Sequence, residues 1–135
     1  MSRRSRKARA TTCPCGSGAA FTACCGPLHA GTAKAATAET LMRSRYSAFA
    51  LGDEAHLLRT WHPATRPDRL DLDGDRTWTG LEILETTGGS PLHTQGTVRF
   101  RASYTDGDGP GAQTEDSAFE RVGADWYYVD ALDFA

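Results

Sequence analysis

Gly96-Thr97-Val98-Arg99-Phe100-Arg101-Ala102-Ser103-Tyr104 alternates without interruption, with Val98, Phe100, Ala102 and Tyr104 on one side and Thr97, Arg99, Arg101 and Ser103 on the other. Successive side chains of an extended chain point to opposite faces, so this stretch predicts a strand with one face on a core and one in water. An Asp- and Gly-rich turn over 106–111 leads to a second strand through Glu115, Ser117, Phe119 and Arg121. After Gly123-Ala124-Asp125 comes a third, Trp126-Tyr127-Tyr128-Val129-Asp130. Three consecutive strands joined by short turns make an antiparallel meander.

Upstream, Thr79-Gly80-Leu81-Glu82-Ile83-Leu84-Glu85 reads as a short helix closed by Gly88-Gly89. Residues 69–72 and 76–79 read as short strands around Asp73-Gly74-Asp75. Earlier still, a helix is expected from Thr37 to Leu51: Thr37 is an N-cap, Leu41, Met42, Tyr46 and Phe49 recur at helical spacing, and Gly52 ends it. A shorter helix from Asp53 to Trp61 follows, stopped by Pro63. Helices on one side of an antiparallel sheet make an α+β fold, and a strongly curved sheet wrapped on them encloses a cavity.

All four cysteines of the 135-residue chain lie between residues 13 and 25: Cys13-Pro14-Cys15-Gly16-Ser17-Gly18, then Phe21, then Cys24-Cys25-Gly26. Four thiolates match the soft, tetrahedral preference of Zn2+ and leave no open position for a substrate water. Such a metal is structural; iron satisfies the same ligands, so zinc and iron both stay open. Disulfides are the competing reading, but C-x-C and vicinal pairs are strained and no secretory context favours them. Gly16 and Gly18 suit a tight turn aimed at the sulfurs, with Phe21 as a cap. His29, just beyond the cluster, is expected to pack on the knuckle rather than ligate.

The cysteine run resembles the SEC-C motif, the small zinc-binding tail of the SecA translocase motor and of several other bacterial proteins. The resemblance implies the ligand set Cys13, Cys15, Cys24 and Cys25, with Cys25 where histidine often stands, and contact with a chaperone, a ribosome or another protein. The order of elements resembles the cystatin-like cone of the nuclear transport factor (NTF2-like) superfamily. Leu41-Met42-Arg43-Ser44-Arg45-Tyr46-Ser47-Ala48-Phe49, Thr60-Trp61-His62-Pro63, Trp78-Thr79-Gly80-Leu81 and Trp126-Tyr127-Tyr128-Val129-Asp130 resemble the bacterial YchJ-like family, in which a SEC-C motif precedes that cone. The implied organisation is a basic arm (1–12), a metal knuckle (13–26), a linker (27–36) and an NTF2-like domain (37–135). On this division, metal loss is expected to unfold the knuckle locally and leave the body intact.

Formal charge is uneven. Arg3, Arg4, Arg6, Lys7 and Arg9 give the first 12 residues +5, leaving −7 for the rest of a chain whose total is −2. The arm reads as a disordered leader, with RNA contact through its charges the less favoured reading. It lacks the apolar run of a signal peptide, and no stretch of about 18 apolar residues predicts membrane insertion. A cytoplasmic location is expected.

Candidate cavity residues are Arg43, Arg45, Tyr46, Trp61 and His62 from the helical layer, and Arg99, Glu115, Ser117, Arg121 and Asp130 from the sheet. Arg43 and Arg45 lie about 200° apart on a helix, so at most one points inward. These groups read either as an ion-pair network fixing the helix on the sheet or as a pocket for a small polar ligand clamped by arginine. No spacing identifies a nucleophile and its base. The expected function is therefore a metal-binding adaptor, with an enzyme or small-molecule binder on the cone as the alternative.

Overall fold

The computed structural model describes residues 12–70, 72 and 74–132; the basic arm, apart from Thr12, lies outside them. A 3-10 turn at Phe21–Ala23 leads into α1 (Gly26–Ala30), so the connector over 27–36 begins as a helix. α2 (Ala38–Leu51) starts where expected, because Thr37 is extended and its Oγ1 accepts the Thr40 N–H at 3.1 Å. It stops at Gly52, whose φ of 77° lets its N–H reach the Ala48 carbonyl.

α3 (Glu54–Arg59) is capped by Asp53, whose Oδ1 accepts the His56 N–H at 3.1 Å. It ends before Trp61 because the backbone there is given to the sheet instead. Tyr128 N–H donates to the Thr60 carbonyl at 2.8 Å, and His62 N–H to the Tyr128 carbonyl at 2.7 Å.

Four strands, β1 (Thr77–Gly88), β2 (Gln95–Asp106), β3 (Gly109–Val122) and β4 (Asp125–Leu132), form one antiparallel sheet in sequence order. The meander is as expected, but the turn between β2 and β3 is tighter: Asp106 pairs with Gly109, leaving Gly107 and Asp108 as the turn. The sequence reading of 69–85 is corrected. Thr79–Glu85 is strand rather than helix, and Arg69, Leu70 and Leu72 lie in no strand. Asp73, in the expected turn, lies outside the described residues. β1 breaks the two-residue alternation at two register shifts, between Trp78 and Gly80 and between Ile83 and Glu85. Each bulge moves the apolar positions by one, and the resulting spacing imitates a helix.

The β1–β2 connection folds back so closely that a Cβ on Gly96 would lie 2.5 Å from Gly89 Cα. Gly96→Ala should therefore cost about 1–3 kcal/mol by overpacking, measured as a lower urea midpoint at unchanged slope; an unchanged midpoint would show that the backbone yields there.

The helices cover one face of the sheet, and a single core runs through the molecule. Cys13, Cys15 and Cys25 belong to it together with Leu41, Phe100 and Trp126. The knuckle is tied to the body: Arg43 Nη1 donates to the Cys15 carbonyl at 2.9 Å, and His29 Nε2 to the Ser44 carbonyl at 2.8 Å. The knuckle is packed as part of the cone.

Candidate metal centre and cone cavity

The four cysteines are unpaired thiols whose Sγ atoms all lie within 4.8 Å of one another. Cys15 Sγ is 3.6 Å from Cys24 Sγ, and Cys24 Sγ 3.9 Å from Cys25 Sγ. A tetrahedron of sulfurs at about 2.3 Å from zinc has edges of about 3.8 Å, so the donor set fits a tetrahedral thiolate-bound ion.

Local sequence explains the closeness. Gly16 and Gly18 adopt φ of 84° and 88°, which turns the chain between Cys15 and the second pair. Ser17 Oγ lies 3.2 Å from Cys24 Sγ, and Ser47 Oγ, from α2, 3.4 Å from Cys13 Sγ. These hydroxyls orient the sulfurs from outside the ligand set. Phe21 meets His29 edge-on at 5.3 Å, closing the knuckle. His29 stays outside the cluster, its Nδ1 3.3 Å from Asp53 Oδ2.

The thiols do not share protons equally. Hydrogen bonding from the Cys25 thiol, against the cost of burial and with help from Ser17, pulls Cys15 down to about 4. The same bond to Cys15, together with burial, pushes Cys25 up, and burial raises Cys24. A dication among the four sulfurs supplies the charge that lets all of them deprotonate.

The second feature is a cavity of about 310 Å³ between α2 and the concave face of the sheet. Five of the sequence candidates line it: Arg45, Tyr46, Trp61, Glu115 and Ser117. Arg45 is 3% exposed. Its Nη1 donates to the Leu57 carbonyl at 2.8 Å and to Thr60 Oγ1 at 2.7 Å, while the guanidinium sits 4.4 Å from the Tyr128 ring centre and 5.2 Å from that of Trp61. Burial lowers it to about 10, which still leaves it cationic at neutral pH. Glu115 is held on the sheet side by Ser117, whose hydroxyl donates at 2.7 Å, and by Gln113 Nε2 at 3.3 Å. Burial and the Glu115 charge push the Tyr128 phenol up to about 12.

The other five candidates line no part of this cavity. Arg43 faces the knuckle and Glu39; His62 pairs with Glu120 at 2.7 Å. Arg99 lies between Glu85 and Asp116 on the outer face, Arg121 donates to the His93 and Gly123 carbonyls, and Asp130 accepts from Ala131 N–H. Arg43 and Arg45 thus point apart, as helical geometry requires. Arg76 and Gln113 are cavity residues that sequence reasoning missed. The period-two pattern of Arg76 and Trp78 carried the signal for Arg76, hidden by the bulge that follows.

Ser44 Oγ lies 3.0 Å from His56 Nε2, but this pair is no nucleophile and base. Ser44 donates its proton to the Leu41 carbonyl at 2.7 Å, and both side chains are sealed from solvent at 0% and 2% exposure.

Comparison with known proteins adds the following. Residues 37–131 match the family model for the middle NTF2-like domain of YchJ, and residues 9–27 match the SEC-C motif. A UPF0225 protein of Streptomyces coelicolor is 59% identical over 118 residues, covering 87% of this chain and 92% of that one. A UPF0225 protein of Streptomyces avermitilis is 55% identical over 129 residues, covering 96% and 89%. Among solved structures, a SEC-C motif containing protein from Rhodopseudomonas palustris superposes with a TM-score of 0.80 at 34% identity, over 91% of this chain and 98% of that one. One from Psychrobacter arcticus gives 0.72 at 29% identity, over 91% and 84%.

Proposed function

Because the chain belongs to the UPF0225 family, with a SEC-C motif followed by a YchJ-type NTF2-like domain, we propose that it is a cytoplasmic zinc protein acting as an adaptor. Its knuckle serves as a rigid recognition surface for a protein partner, with chaperones and ribosome-associated factors the first classes to test.

The observation that carries this reading is the division of exposure within the knuckle. Cys13, Cys15 and Cys25 are buried against α2, whereas residues 16–20, 22 and 23 are exposed. A four-thiolate ion has no position left for substrate, so its physical effect is to hold that loop in one shape. A loop ordered before binding loses less entropy on docking. Zinc is favoured over iron because the role needs no redox change. Among the described residues no helix is long and apolar enough to cross a membrane.

Serines in place of the cysteines would disturb the core, so the test leaves them intact. Ala19→Glu/Ala23→Glu places two charges on the exposed loop. Affinity capture from bacterial lysate should recover a partner with the original chain and lose it with this variant, both carrying stoichiometric zinc by elemental analysis. Equal recovery, or none with either, removes the adaptor reading.

A further inference from the structure

We propose that the cone cavity binds a small zwitterion with an apolar body, its carboxylate on Arg45 and its ammonium group on Glu115. An apolar α-amino acid is the simplest member of this class, and the inference is independent of what the knuckle does.

The cavity holds two opposite charges that do not meet. Arg45 comes from α2 and Glu115 from β3; both line the space, and among the described residues no ion pair joins them. A pair serving only to fasten helix to sheet gains most by direct contact, since buried charges are stabilised by good mutual geometry. Here each charge is instead held by neutral neighbours, Arg45 by Leu57 and Thr60, Glu115 by Ser117 and Gln113.

Unused bonding capacity lies at both ends. Arg45 uses only Nη1, so its Nε and Nη2 are without hydrogen-bond partners among the described residues. Trp61, whose ring lies beside that guanidinium, has a buried Nε1 that is likewise unpartnered among the described residues. Buried donors are ordinarily satisfied, so the orphaned Trp61 Nε1, beside guanidinium nitrogens that also have no partner, points to an acceptor that arrives from outside the chain. A planar fork favours a carboxylate, which accepts two parallel N–H bonds. At the other end each Glu115 oxygen accepts one hydrogen bond and keeps a second lone pair for a donor.

Charge balance selects a zwitterion over a simple anion. The other cavity arginine, Arg76, has its charge opposed by Asp106 at 3.8 Å and stacks 3.9 Å over the Tyr104 ring, although its buried Nε is without a hydrogen-bond partner among the described residues. What remains is one positive and one negative pole. An anion alone would leave Glu115 facing it across the cavity. Met42, Phe49, Trp78 and Phe100 give the cavity an apolar part, and a volume of about 310 Å³ suits a ligand the size of one aromatic ring with its substituents.

The test is calorimetric titration of the full metal-loaded chain with two zwitterions of different charge separation, L-phenylalanine and 4-(aminomethyl)benzoate. Each is compared with its desamino analogue, 3-phenylpropionate or 4-methylbenzoate, and 2-phenylethylamine serves as the carboxylate-free control. At least one zwitterion should bind about tenfold or more tightly than every analogue lacking one charge. Glu115→Gln should abolish the advantage of that zwitterion over its desamino analogue, and Arg45→Lys, which keeps the charge but not the fork, should weaken both. The proposal is overturned if the one-charge analogues bind as well as the zwitterions, if no zwitterion binds at millimolar concentration, or if Glu115→Gln leaves the preference unchanged.

Discussion

Removing the metal is expected to unfold the whole chain rather than its first thirty residues. Cys15 is 0% exposed and shares one core with Leu41, Phe100 and Trp126, so the knuckle has no boundary across which it can melt alone. Three ties cross from the knuckle region to α2: Arg43 to the Cys15 carbonyl, His29 to the Ser44 carbonyl, and Ser47 to Cys13 Sγ. Without a cation, four thiols within 4.8 Å must either protonate or repel. Structural zinc contributes about 10–16 kcal/mol of apparent binding free energy in small zinc-folded peptides, comparable with the roughly 5–15 kcal/mol by which whole domains are stable. Chelation should therefore abolish amide protection at Phe100 and Trp126 together with that of residues 13–30, and Cys15→Ala should reproduce the effect. Protection retained in the sheet while only the knuckle exchanges would show that the shared core is not cooperative.

A second large effect should follow acidification. His56 is 2% exposed; its Nδ1 accepts from Arg59 Nη2 at 3.0 Å, which places the ring proton on Nε2, facing Ser44 Oγ. Burial, reinforced by His29, Arg59 and Arg45 and opposed by Asp53, lowers it to about 3 from 6.5. Between those values the unfolded imidazole binds a proton that the folded one refuses. The stabilisation is thus complete above about pH 6.5 and drains away at about 1.4 kcal/mol per pH unit as pH falls toward 3. Urea unfolding at about pH 7 and about pH 5 with excess zinc should show a loss of about 2 kcal/mol attributable to this group. His56→Gln should lose less over the same interval by about that amount, since metal release by acid is common to both chains. Equal losses would mean that His56 is protonated in the folded state.

Where local chemistry was sufficient, the sequence was readable. Thr37, Gly52 and Asp53 bracket the two main helices because caps act within a few residues, and Val98, Phe100 and Ala102 mark β2 because its alternation is unbroken. β1 was misread because its two bulges are defined only by pairing with β2: Gly80 opposite Ser103 and Glu85 opposite Arg99 have no counterpart in a window of single sequence. The same limit applies to the cavity. Arg45 and Glu115 looked equivalent to Arg43, Arg121 and Asp130 along the chain, and only the packing of α2 on the sheet and the register of the strands separate the groups that line the space from those that tie loops and edges.

Spacing, capping and alternation are properties of short stretches of chain, and they were enough to show that four cysteines cluster, that helices precede an antiparallel meander, and which elements carry charge. Packing decided that the cluster lies inside the core of the cone, that Arg45 and Glu115 line one cavity, and that His56 is sealed beside Arg59. Those facts depend on how elements distant in sequence are packed, and burial, which sets the cost of each charge and the strength of each bond, is a property of the packed whole.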